Sequence, residues 1–315
     1  MAASARRSLV VPQPAPGASE YRAPLPAIWS ALIAVYLIWG STYLAIRYAV
    51  ETAPPFLMAA VRFMISGGFL YLLRRLSGDP RPKALEWRSA AIIGIFLLVG
   101  GNGGVVWAEQ FVPSSLAALL VATVPLWMVL IDAFRPTGHR PGPLAIAGIL
   151  VGFGGAVLLI GSAAIGADTT NLLGAAVLIV ASLSWSTGSL YGKNATLPAS
   201  QLLATAMEML AGGVALLLAA IIVGEWSHFD LATVSRRSLL AVAYLTVIGS
   251  SAFGAYVWLL RVAPTPLVAT YAYVNPVIAV LLGYLLAQEP MTVRTVLAAA
   301  LIIGSVALVS TPPRG

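Results

Sequence analysis

Residues 103–130 return as residues 254–281, with nine of the 28 positions identical at a constant offset of 151. The shared set is Gly103/Gly254, Val106/Val257, Trp107/Trp258, Pro113/Pro264, Leu116/Leu267, Ala118/Ala269, Pro125/Pro276, Val129/Val280 and Leu130/Leu281. A chain rich in Ala, Leu and Val matches itself by chance at some sites. It does not place one Trp and two Pro in register that way. The chain therefore reads as two copies of one unit. An earlier echo, Trp39-Gly40-Ser41-Thr42 against Trp185-Ser186-Thr187-Gly188 at offset 146, also sets Arg62 against Glu208. The change from 146 to 151 places about five extra residues in the second copy, most simply around 224–236, a loop holding Trp226, His228 and Phe229.

The unit is built for lipid. Hydrophobic residues fill 59% of the 315 positions and charged ones only 9%, and apolar runs of about 20 residues recur along the whole length. These features predict an all-α membrane protein with ten spans: 27–48, 55–77, 87–108, 113–133, 142–161, 172–193, 198–223, 237–261, 266–287 and 292–311. Residues 1–26, rich in Pro, Ala and Ser, read as a disordered cytoplasmic tail, followed by repeats over 27–161 and 172–311. Arg6-Arg7 ahead of Ser8-Leu9 is a faint twin-arginine signal, contradicted by Pro12, Pro14 and Pro16.

Charge sets the expected orientation. With the N-terminus inside, 13 of the 18 Lys and Arg fall on the inner side, Arg47, Arg236, Arg237 and Arg294 fall outside, and Arg62 lies within a span. Both termini are then cytoplasmic, and the outer loops hold the acids Glu51, Glu109, Asp168, Glu225, Asp230 and Glu289. The net charge of +7 is spread over short loops, so it orients the chain in the bilayer and offers no nucleic-acid surface.

Five spans per copy is an odd number, so the second copy enters the bilayer in the opposite sense. Inverted repeats of this kind recur in secondary transporters, where two similar bundles rock about a midplane site. Enzymatic chemistry has no foothold: there is no HExxH or GxSxG, and the only two His fall in loops. With no Cys there is no thiolate nucleophile and no Cys-based metal site. Gly188-Ser-Leu-Tyr-Gly192-Lys193-Asn194 is one residue short of a P-loop and lacks its Ser/Thr. No catalytic residues, cofactor or metal are expected; the expected partners are the lipid bilayer and a small-molecule substrate, and a monomer suffices.

The runs Gly101–Pro113 (GNGGVVWAEQFVP) and Ala122–Trp127 (ATVPLW), with Trp39-Gly40-Ser41 and Arg62-Phe63, resemble the EamA family of the drug/metabolite transporter superfamily over essentially residues 27–311. The resemblance implies two inverted five-helix repeats around a central cavity. It also implies export of small metabolites, often amino acids, across the bacterial inner membrane, in the manner of the aromatic amino acid exporters. One departure stands out. Such proteins often carry a Gly-Glu pair after the fourth and ninth spans, whereas here 135–142 reads RPTGHRPG and only Glu289 remains in that role, at a position that lies outside the cavity.

Arg62 and Glu208 sit well inside spans, where a charge costs about 2.5 kcal/mol or more unless it is paired, hydrated or turned inward. Arg62 is a candidate to hold a substrate carboxylate, and Glu208 to meet an ammonium or carry a proton. The structural alternative pairs them with backbone carbonyls or hydroxyls. Trp39, Ser41, Tyr43 and Trp185 lie at mid-depth and either shape a cavity or pack between helices. Ser186 and Thr187 stand beside Trp185, and Thr42 beside Ser41. Pro125 and Pro276 each remove a backbone hydrogen bond near a span centre and predict paired kinks, with Tyr271 and Asn275 beside the second and Thr123 beside the first. Asn102, inside Gly100–Gly104, is the polar residue of a hinge or a close crossing. Gly148, Gly152, Gly154 and Gly155 suit helix packing, and Asp132 reads as a solvated or loop-paired acid. Trp107 and Trp258 fall at span ends, where indole suits the headgroup level better than a site.

The expected activity is alternating-access export of amino acids or related metabolites; the alternative within the same superfamily is a broad-specificity drug or nucleotide-sugar transporter. A membrane enzyme or a passive structural protein is the reading from another class.

Overall fold

The computed structural model describes residues 23–135, 140–165, 169–263, 265–268 and 270–310. The expected tail falls almost wholly outside them, as do Asp168, Pro264 and most of the RPTGHRPG stretch. Within them the regular structure is entirely helical. Eight helices are long and apolar enough to cross a membrane, and two more, Tyr271–Ala287 and Val293–Val309, are apolar but shorter. Their outward faces carry large apolar side chains such as Leu37, Phe69, Leu150, Val157, Ile222 and Leu285. A water-soluble protein would bury most of these; here lipid is their solvent.

Proline and small polar residues mark the helix starts. Pro26 stands in the first turn of α1 (Leu25–Ala49) and Pro55 opens α2 (Pro55–Leu76), positions where a missing N–H costs nothing. Basic residues, Arg47 in α1 and Arg74 and Arg75 in α2, close these helices against the negative ends of their dipoles. At the start of α3 (Ala84–Gly94), the Glu86 carboxylate accepts from the Lys83 N–H at 2.7 Å. Asp79, just after α2, accepts twice from Arg74, at 2.8 and 2.9 Å, and this hydrogen bonding holds its carboxyl below the usual range.

Two crossings change helical pitch at matching places. α3 runs through a π-helical stretch, Ile95–Gly103, into α4 (Gly104–Ala108). Near the corresponding point of the second copy, α10 (Arg236–Tyr244) runs through a shorter π stretch, Leu245–Gly249, into α11 (Ser250–Val262). A π turn frees carbonyls, and each stretch has one met by a serine from a neighbour. Ser184 of α8 (Thr169–Gly192) donates to Phe96 O at 2.7 Å, and Ser66 of α2 donates to Thr246 O at 2.8 Å.

Pro125 and Pro276, where kinks were expected, sit in different settings. The fourth crossing is broken into α5 (Ser114–Val121) and α6 (Val124–Ala133), with Pro125 in the first turn of the new helix. In the second copy Pro276 lies inside a continuous α13 (Tyr271–Ala287), and the short α12 (Thr265–Val268) precedes it. The break at 122–123 is held by side chains: Thr123 donates to Leu120 O at 2.6 Å and Ser186 to Val124 O at 3.0 Å.

Helices pack in exchanged pairs. α2 lies along α9 (Gln201–Ile222), and α7 (Pro143–Ile165) along α14 (Val293–Ser310). α1 packs on α13 much as α8 packs on α5 and α6, and α1 meets α10 and α11 as α8 meets α4 and the first π stretch. Small residues allow the approach. A Cβ at Gly67 would lie 2.7 Å from Met209 Cβ, and one at Gly148 would lie 2.8 Å from Val309 Cγ2. Gly152 and Gly155 face the same seam, but Gly154 has nothing within 4 Å and plays no part in it.

Candidate functional site

The sequence-selected residues fall into two neighbouring groups and several outliers. The first group is aromatic. Trp39 of α1 stands 5.1 Å from Tyr256 of α11 and 5.2 Å from Tyr271 of α13, ring centre to ring centre, and the two tyrosines are 5.6 Å apart. Edge-on and tilted rings of this kind make a wall with both apolar faces and hydroxyl edges. Close by, the Tyr36 hydroxyl meets the Thr270 hydroxyl, and Ser41 Oγ lies 2.6 Å from the Tyr244 hydroxyl. Gly40 lets α13 come this near, since a Cβ there would stand 2.7 Å from Ile278 Cβ and 3.2 Å from Asn275 O. Asn275 itself is 8% exposed, and its Oδ1 is buried without a partner.

The second group is charged. Arg62 is 7% exposed; its Nη2 donates to Asn102 Oδ1 at 3.3 Å, and its Nη1 is buried with no acceptor. Its guanidinium lies 4.3 Å from the centre of the Phe63 ring. Glu109 is fully buried, and neither carboxylate oxygen has a hydrogen-bond partner. This corrects its expected place as a loop acid: the helix ends at Ala108, but the chain turns inward under Arg47, whose Nη1 donates to the Glu109 backbone carbonyl at 2.5 Å. Burial, and then the charge of Glu289, hold the Glu109 carboxyl well above the usual carboxylate range, against the opposing pull of Arg47 and Arg62. Tyr43 joins the groups, having both Glu109 and Tyr271 among its electrostatic neighbours.

Other expectations resolve apart from these groups. Trp185 lies over the third crossing, where a Cβ at Gly101 would stand 2.8 Å from its ring, so Gly100–Gly104 forms a close crossing. Ser186 and Thr187 turn back on their own helix, donating to Ser182 O at 2.7 Å and Leu183 O at 2.9 Å. Glu208 is half-buried on α9 and, among the described residues, makes no hydrogen bond or ion pair; its backbone carbonyl packs against Gly94. Asp132 pairs with Arg135 at 3.6 Å. Trp258 is well exposed, whereas Trp107 is half-buried and packs on Phe111 at 4.9 Å.

Glu289 is a second correction. It is 9% exposed and caps α5 of the other copy, accepting from Ser114 N at 2.7 Å, Ser114 Oγ at 2.8 Å and Ser115 N at 3.0 Å. Glu225 caps α2 in the same way through Leu57 N at 2.8 Å and Phe56 N at 3.3 Å; burial raises its carboxyl pKa while these bonds oppose the shift. Beside Glu289 opens a pocket of about 370 Å³ lined by Arg47, Tyr48, Glu51, Arg237 and the 285–289 segment. Sequence reasoning did not single out Tyr244, Tyr256, Ser66 or Ser184.

A helical bundle with a lipid-facing apolar surface and buried charged groups defines a membrane protein, and comparison narrows the class. The EamA-like transporter family matches residues 26–161 and 172–311, so the chain belongs to that family. It is 42% identical over 293 residues, covering 92% of each chain, to the "Uncharacterized inner membrane transporter YedA" of Escherichia coli strain K12. It is 24% identical to the "Uncharacterized transporter YoaV" of Bacillus subtilis strain 168, over 86% of this chain and 92% of that one. A solved crystal structure shares the fold with a TM-score of 0.59 at 22% identity, covering 91% of this chain and 98% of its own.

Proposed function

We propose that the chain is a ten-span inner-membrane secondary transporter that exports amino acids or related small amphipathic metabolites by alternating access of two inverted halves. Both termini face the cytoplasm in this reading, and the 50–54 and 288–292 connections face outward. The exchanged helix pairs and the matching π stretches support the inverted relation. The inner-membrane assignment of the YedA relative supports the location.

The observation that carries the substrate class is the buried, half-satisfied Arg62. A guanidinium with one arm on Asn102 and the other without an acceptor suits a carboxylate. The nearby wall of Trp39, Tyr256 and Tyr271 suits an apolar or aromatic side chain. Tyr43 and Asn275 supply the remaining polar edges. Reconstituted Arg62→Ala protein should retain its fold and lose at least about tenfold in counterflow of labelled amino acids, about 1.4 kcal/mol of binding. Undiminished flux in that variant overturns the carboxylate clamp. The same aromatic wall also suits an organic cation; uptake of a fluorescent cation that amino acids fail to compete would assign the protein to broad drug transport instead.

A further inference from the structure

The reading above leaves Glu109 unused. It is the most completely buried charged side chain described, and both its oxygens lack donors. We propose that Glu109 is a proton-binding site, carrying a neutral carboxyl in the conformation seen and releasing its proton to water in the neighbouring pocket when that end of the bundle opens. The proposal rests on the transport reading for its place in a cycle, but not for the existence of the site.

The surroundings explain why a proton binds there. From α1, Tyr43 and Arg47 face Glu109; from α2, Arg62; from the connection after α13, Glu289. α8 also packs on this stretch, presenting Gly174, Val177 and Ala181, none of which titrates. Glu289 is committed to the α5 N-terminus, and Arg47 spends a donor on the Glu109 backbone rather than its carboxylate. An ionised Glu109 would thus be a buried anion without a hydrogen bond, and the neutral acid is the form this site accommodates. Arg47 and Glu289 line the 370 Å³ pocket as well as neighbouring Glu109, so movement of Arg47 would bring water to the carboxyl. The proton then passes from Oε to a water molecule, leaving a carboxylate that Arg62 Nη1 or Arg47 can pair. A substrate anion on Arg62 competes with that pairing. Anion binding and proton retention on Glu109 are therefore linked in the same sense.

The test is an infrared pH titration of the reconstituted full chain, run beside counterflow of labelled phenylalanine. The wild type should show a protonated-carboxyl band that persists at neutral pH and titrates well above an ordinary glutamate. The highest-titrating component of that band should vanish in Glu109→Gln and survive in Glu208→Gln. In Arg62→Gln its midpoint should rise by about one unit, a tenfold gain in proton affinity. Absence of a neutral-pH carboxyl band in the wild type, or persistence of its highest-titrating component in Glu109→Gln, overturns the proposal. If Glu109→Gln does not fold, an unmoved midpoint in Arg62→Gln overturns it. Phenylalanine flux with the same pH profile in wild type and Glu109→Gln overturns the coupling role while leaving the transport reading intact. A Glu109 band with no flux of any amino acid leaves the proton site standing and removes the transport reading.

Discussion

Gln288 is the only non-glycine residue with positive φ among those described, at φ 53 immediately after α13. That left-handed position closes the helix through the Glu289 N–H, which donates to Gly283 O at 3.0 Å. A side chain there costs about 1–2 kcal/mol. Gln288→Gly should therefore raise stability by about 1 kcal/mol, net of the extra freedom glycine has when unfolded, as read by denaturant or thermal unfolding in detergent. The neighbouring Glu289 works in the opposite direction. Glu289→Ala strands the Ser114 and Ser115 donors in a buried setting and should lower stability by about 2 kcal/mol in the same assay. The sequence marked Glu289 as the surviving half of a motif and placed it in a loop. Its grip on α5 was not legible, because the two residues lie 175 positions apart and only the folded bundle brings them together.

Elements show how far a repeat can be read. Pro125 and Pro276 are in register, and both were expected to kink. The first ends a helix because its break at 122–123 is supported by hydroxyls of Thr123 and Ser186. Pro276 is instead carried within α13, packed closely on Gly40. A shared proline fixes which N–H is missing, not how the neighbours respond. The π stretches were legible only as a glycine-rich run in one copy, and Leu245–Gly249 offers no comparable run. Their serine partners are testable. Ser184→Ala should remove one donor from Phe96 O, and Ser66→Ala one from Thr246 O. Each should cost about 1 kcal/mol in unfolding. The aromatic wall shows the limit of repeat logic from another side. Tyr256 corresponds to Val105 and Tyr271 to Leu120, so nothing in the first copy announces the cluster that forms around Trp39.

At the scale of the whole molecule, the bundle, its membrane character and its family were legible because hydropathy and self-similarity are properties of long segments, insensitive to single contacts. Arg62 and Asn102 were both singled out, yet their meeting across 40 residues was not foreseen. Glu109 was misplaced because one residue beyond a helix end looks solvated in a linear reading. One set of polar links between the halves lies at the 50–54 connection. Thr52 Oγ1 meets Ser238 Oγ at 2.8 Å, Tyr48 donates to Leu286 O at 2.9 Å, and Arg237 lies 3.4 Å from Glu51 and 3.5 Å from the Tyr48 ring centre. Tyr48→Phe combined with Thr52→Val should loosen this end, raising reagent access to a cysteine placed in the 47–51 region of a chain that has none of its own. Unchanged labelling would show that these bonds do not hold the halves together.

Each of those links contributes about 1 kcal/mol or less, the exposed Arg237–Glu51 pair least, and parting the two halves at that end breaks them. In the alternating-access reading proposed above, opening that end must break these bonds. Binding and release of cargo at the opposite mouth need no such parting. In that reading, reconstituted protein inserted in one orientation should half-saturate at different cargo concentrations on its two sides, an asymmetry set by hydroxyls and one carboxylate.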